Sequence, residues 1–212
     1  MKIATIFVGR VKSYDKTFRS ITENVFAGHD VDTFLAHNAA NTYDLAPFLS
    51  TYDVKAYRNN TIKVPSFFIT SHINALSNNK YNPWSMFYNL HDGYKLVEEY
   101  AARNRIKYDL VVYMRADMHF NSRVEFASNL AADCIYIPNL PDHRGVTDQL
   151  AYGSPAAMKK YCSLFTLIDT YWKLITDYCN PEMLLQFHLN HLKMNVVRFD
   201  LSAELDGERT SA

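Results

Sequence analysis

A chain of 212 residues is long enough for one domain with a true hydrophobic core. Lys plus Arg and Asp plus Glu balance at 22 each. That excludes a basic field for nucleic acid, and no lysine-rich amphipathic segment is present to lie on a membrane surface. No run approaches the roughly 20 apolar residues of a membrane span. The opening MKIATIFVGR is too short in apolar residues for a secretory signal. Cys134, Cys162 and Cys179 form no CxxC pair, which favours free thiols in a reducing compartment. The expectation is a soluble, cytoplasmic chain.

In chain order, Ile3–Val8 is a continuous apolar run ending at Gly9, the pattern of a strand buried on both faces. A helix follows, with Ser13 as N-cap, Phe18, Ile21 and Val25 as its apolar stripe, and Gly28 as its stop. Val31–Ala36 is the second strand and Asp53–Tyr57 a weaker third, while Asn60–Asn79 is irregular. Pro83 opens a long helix with Met86, Leu90, Val97 and Ala101 on one face, fading near Asn104. Tyr108–Met114 and Cys134–Pro138 are strands. The polar loop Asn139–Thr147 leads to a core segment, LAYG. Helices over Ser154–Ile175 and Pro181–Met194 precede a last short strand, Val196–Phe199. Strand–helix alternation predicts an α/β fold with a mostly parallel central sheet flanked by helices. The whole of 1–212 forms one domain, with 203–212 as a polar tail or linker.

Several chemistries are excluded by missing motifs. There is no GxGxxG after strand one, no GxxxxGK[ST], no GxSxG and no HExxH. What is present is a carboxylate at the end of the best strand, in Arg115-Ala116-Asp117. Ligands of open α/β sheets bind outside the carboxyl ends of the parallel strands. Val8, Gly9 and Arg10, at the end of strand one, face the same crevice. A carboxylate and a guanidinium there suit a divalent cation with a diphosphate. Asp117 also reads as an ordinary turn former, and Arg10 as a solvated surface residue. In the loop after CIYIP, Asp148 is the candidate general base and Asp142 its rival. The structural alternative for Asp148 is a cap or Asx-turn. His188 lies on the apolar face shared by Leu185 and Leu192, as a hydrogen-bonded core residue or as a second metal ligand beside Asp117. His119, two residues past Asp117, reads as a second ligand or as a solvated strand-end residue.

The segments IATIFVGRVKSYDKTFRSITENVF, DVDTFLAHN, KYDLVVYMRADMHF, IYIPN, DHRGVTDQLAYGSPAAMKKY and PEMLLQFHL, in that order, resemble small glycosyltransferases of the GT-A type. The similarity extends to the N-terminal glycosyltransferase domain of a multidomain protein of chloroviruses, large DNA viruses of algae. It spans nearly the whole chain and is most specific at Arg-Ala-Asp and Thr-Asp-Gln-Leu-Ala-Tyr-Gly. It implies a GT-A-like nucleotide-diphospho-sugar transferase fold, Mn²⁺ or Mg²⁺ as cofactor, and transfer of a hexose or deoxyhexose from a UDP-sugar donor to a glycan acceptor; the expectation is inversion with Asp148 as base, and a retaining enzyme would not need it in that role. It also implies a longer multidomain chain and, for a viral protein, the host cytoplasm. Asp117 then keeps the metal-facing place of the Asp-x-Asp motif common in that class. Arg115 stands at its first acidic position, where it would contact nucleotide or sugar. Two other classes fit the same residues: a nucleotide-sugar or carbohydrate-binding module without catalysis, and a nucleotidyltransferase.

Overall fold

The computed structural model describes residues 1–9, 11–40, 43–63, 83–174 and 180–206. Its frame is a seven-stranded sheet in the order β3-β2-β1-β4-β7-β6-β8. The strands are β1 (Lys2–Val8), β2 (Asp30–Asn38), β3 (Val54–Asn60), β4 (Leu110–Arg115), β6 (Cys134–Pro138), β7 (Leu150–Gly153) and β8 (Asn195–Phe199). Only β7 runs against the others among these seven, pairing antiparallel with both β4 and β6. A second ladder pairs β5 (Met118–Phe120) with β9 (Ala203–Leu205).

Alternation along β1 explains why the sheet is covered twice. Ala4, Ile6 and Val8 pack on one face, with α3 (Pro83–Asn104), α4 (Pro155–Cys162), α5 (Leu164–Leu174) and α6 (Pro181–His191). Ile3 and Phe7 point the other way. There Phe7 meets α1 (Tyr14–Ile21), the π-helical turn Thr22–Phe26 that continues it, and α2 (Ala46–Thr51). Phe7 stands 4.6 Å from Tyr52 and 5.4 Å from Phe48, ring centre to ring centre, so aromatic edges fill that layer. The approach of α3 to the sheet depends on Gly93. A Cβ there would lie 2.5 Å from Ile6 Cγ2.

The sheet, its parallel majority and the helical layers match the sequence expectation. Four details differ. Ser13 makes no side-chain cap, and the first turn is closed by its carbonyl, which accepts from the Lys16 N–H. The Ser154–Ile175 region is two helices rather than one. Ser163 breaks it, its hydroxyl donating to the Lys160 carbonyl while its own carbonyl accepts from Thr166. LAYG is a full central strand, because its four residues are buried between β4 and β6. Ala203–Leu205 is not tail but β9, hydrogen-bonded to β5. Most of Asn60–Asn79 lies outside the described residues, as do Cys179 and 207–212; Cys134 and Cys162 are buried free thiols. No helix among the described residues is long and apolar enough to cross a membrane.

Candidate functional site at the carboxyl rim of the sheet

Val8 and Arg115 are register partners, so β1 and β4 end side by side. The chain then turns through Ala116 and Asp117 into β5. Two contacts fix that turn: Thr17 of α1 donates to the Ala116 carbonyl at 2.6 Å, and the Asp206 N–H donates to the Asp117 carbonyl at 2.8 Å. Arg115 and Asp117 thereby face each other. Arg115 Nε donates to Asp117 Oδ1 at 2.8 Å and Nη2 to Oδ2 at 2.6 Å, a two-point ion pair between partly buried side chains. Burial opposes the charge of the guanidinium, but the hydrogen bonds to Asp117 more than offset it, and Arg115 holds its proton more tightly than a free arginine. Gly9, beside this pair, has φ +100°, and a Cβ there would meet open space. Arg10 lies outside the described residues.

Asp148 reaches the same rim from the opposite direction. Because β7 is antiparallel to β4, the start of β7 meets the end of β4, with Leu150 opposite Met114. The Arg115 N–H donates to the Gln149 carbonyl at 3.2 Å, and the buried Tyr113 hydroxyl donates to the Asp148 carbonyl at 2.8 Å. Asp148 caps no helix; it is half-buried at a bend two residues before β7. Desolvation pushes its carboxyl above the usual aspartate range, against the opposing pull of Arg115.

Asp142, the rival base, is occupied otherwise. Its Oδ1 accepts from the Thr147 N–H at 2.8 Å, and Arg198 on β8 chelates it through Nη1 at 2.9 Å and Nη2 at 3.0 Å. It pins the loop. That loop turns through left-handed His143 and Arg144 and docks on the start of α6. Asn180 caps α6 by accepting from the Met183 N–H and donates to the His143 carbonyl at 2.6 Å, while the Val146 N–H donates to the Glu182 carbonyl.

The docking brings in Glu182, which sequence reasoning passed over. An acidic residue in a first helical turn is the ordinary complement to the helix dipole, so its spacing carries no signal. Its carboxyl is pushed up to about 7, by burial first and by the charge of Asp148 second. Between roughly pH 4.5 and 7 the unfolded chain gives up this proton while the folded chain keeps it. Stability therefore falls as pH rises through that window and stays lower above it. Glu182→Gln should melt about 2–6 °C higher than the parent at pH 8 and level with it at pH 4.5. An equal gain at both pH values would detach Glu182 from the charge of Asp148.

His188 is corrected. It is fully buried on α6; its Nε2 donates to the Lys160 carbonyl at 2.8 Å and its Nδ1 accepts from the Tyr171 hydroxyl at 2.8 Å. Both nitrogens are committed to packing, which leaves none for a metal. His119 is on β5 and pairs with Asn121 Oδ1 at 3.2 Å. Among the described residues no three His, Cys, Asp or Glu side chains are gathered tightly enough to cage an ion. A hard cation that shares diphosphate oxygens needs only one or two carboxylates. Asp117, partly open at the rim, fits that mode. A broad groove lined by Val97, Ala101, Ile106 and Pro155 lies at the opposite, amino end of β4, away from these groups.

A family model described as a domain of unknown function, DUF7796, matches residues 1–203. The chain belongs to that family. No curated protein matches it. Among solved structures, this member of the family is similar to the apo form of the glycosyltransferase GlyE of Streptococcus pneumoniae TIGR4. The TM-score is 0.52 at 10% identity, over 93% of this chain and 45% of that one. The chain thus spans under half the length of GlyE, and the likeness establishes a shared fold.

Proposed function

We propose that this domain is a glycosyltransferase of the GT-A type, moving a hexose or deoxyhexose from a UDP-sugar to a glycan acceptor with inversion. One observation carries the reading. The Arg115–Asp117 ion pair and Asp148 stand at the carboxyl rim of the parallel strands, with Glu182 close enough to Asp148 to feel its charge, in a sheet shared with a glycosyltransferase. That rim is where open α/β sheets hold ligands.

The chain's own residues divide the work. The acceptor oxygen attacks the anomeric carbon as the bond to the diphosphate oxygen breaks, and the electron pair leaves with UDP. Asp148 takes the acceptor's proton. Its elevated carboxyl suits that task, and its fixed carbonyl bond to Tyr113 holds it in place. Arg115 supplies positive charge where negative charge grows on the diphosphate. Gly9, with open space at its Cα, lets the donor approach the backbone at the end of β1. A bound Mn²⁺ or Mg²⁺, held by Asp117 and the diphosphate, would add charge neutralisation at the leaving group.

Incubation with a panel of UDP-sugars, with and without Mn²⁺, tests the reading. Release of free UDP with hydrolysed or transferred sugar is expected. Pyrophosphate release would instead indicate a nucleotidyltransferase, and UDP-sugar binding without turnover a binding module.

A further inference from the structure

The Arg115–Asp117 pair does more than sit beside the donor. Both oxygens of Asp117 are taken by one guanidinium, at 2.8 and 2.6 Å, and only 17% of the Asp117 side chain is exposed. A carboxylate so neutralised is a poor ligand for a free cation, which would be repelled by Arg115 as it approached. The guanidinium has five N–H groups and spends two on Asp117. It makes no other side-chain hydrogen bond among the described residues. Three donors thus remain for an incoming phosphate, a partner of higher charge than a carboxylate.

We infer that Arg115 is a lock on Asp117, making capture of a divalent cation conditional on the arrival of a diphosphate. The inference rests on the donor-binding reading above. A diphosphate draws the guanidinium toward itself and frees the two Asp117 oxygens. A cation then takes the place that Arg115 leaves, so that Asp117 is never a buried, unpaired charge. Cation and nucleotide bind as a set, and each raises the affinity for the other by the same factor.

Mn²⁺ binding is read from the electron paramagnetic resonance signal of the free ion, with UDP as the nucleotide probe. The parent protein should bind Mn²⁺ weakly alone and far more tightly with UDP. Arg115→Gln should bind Mn²⁺ alone roughly ten- to a hundredfold more tightly than the parent, the scale of losing charged hydrogen bonds. Arg115→Lys, which keeps the charge without the fork, should fall between. Adding Asp117→Asn to Arg115→Gln should erase the gain. A lock also requires that the UDP-induced gain in Mn²⁺ affinity shrink in Arg115→Gln; an ion pair with no gating role would leave that gain intact, and that result, or no rise in basal Mn²⁺ affinity, overturns the lock. If UDP binds the parent with Mn²⁺ while Arg115→Gln shows no gain in cation binding, the lock fails and the donor reading stands. If Arg115→Gln gains Mn²⁺ but UDP binds no form of the protein, the conditional step fails together with the donor reading.

Discussion

Asp148→Asn is expected to lower sugar-transfer turnover by roughly 10²–10⁴-fold, the scale of losing a general base, while UDP-sugar affinity stays close to that of the parent. The asparagine keeps the shape of the side chain and leaves intact the Asp148 carbonyl bond to Tyr113, which is made by the backbone. The loss would therefore read the proton and not the fold. Asp142→Asn is the matching control. Asp142 is chelated by Arg198 and bound to the Thr147 N–H, so its loss should lower the melting temperature, with a smaller effect on turnover once folded protein is counted. Near-normal turnover in Asp148→Asn at saturating acceptor would remove Asp148 from the chemistry.

The second large effect concerns stability. A Cβ on Gly145 would fall 2.1 Å from the Glu182 carbonyl oxygen, 2.2 Å from its carbon and 2.5 Å from the Met183 nitrogen. All three atoms are backbone at the start of a helix, so no side chain can swing aside. Gly145→Ala must push the loop off α6. The cost expected of such overpacking is about 1–3 kcal/mol, or roughly 2–12 °C in melting temperature for a chain this size. Thermal unfolding followed by circular dichroism measures it. Because the displaced loop leads directly into Asp148, turnover per folded molecule should drop as well. A variant that melts with the parent would show that loop and helix are not packed as described.

The parallel sheet was legible because its strands are buried on both faces and so write uninterrupted apolar runs, as in IATIFV and LVVYM. LAYG escaped assignment because four residues are too few to show a period, and only its pairing with β4 and β6 identifies it. The rim position of Asp117 followed from the end of β4, since β-strand ends are marked by the same apolar run. The ion pair with Arg115 did not. An arginine two residues before an aspartate is as consistent with two solvated side chains as with a fork. His188 keeps two readings in the sequence, core residue and ligand, for a related reason. The face of a helix tells that a histidine is buried, but not that a tyrosine on one neighbouring helix and a carbonyl on another satisfy its two nitrogens. Glu182 had no local signature at all. Its character comes from a loop 37 residues earlier in the chain, tied to α6 by Asn180 and His143.

The reversed direction of β7 separates two properties that most strand-end sites keep together. A residue on a loop between parallel strands moves whenever that loop is lengthened or shortened. Asp148 instead stands at the foot of a strand whose place is dictated by its ladder with β4, from Met114–Leu150 to Val111–Gly153. The segment before it can therefore be rebuilt without carrying the carboxylate away, provided that the Asp142–Arg198 clasp or an equivalent closes it. In an engineering setting this makes residues 139–141 and 143–144 the natural place to graft new recognition for a different acceptor.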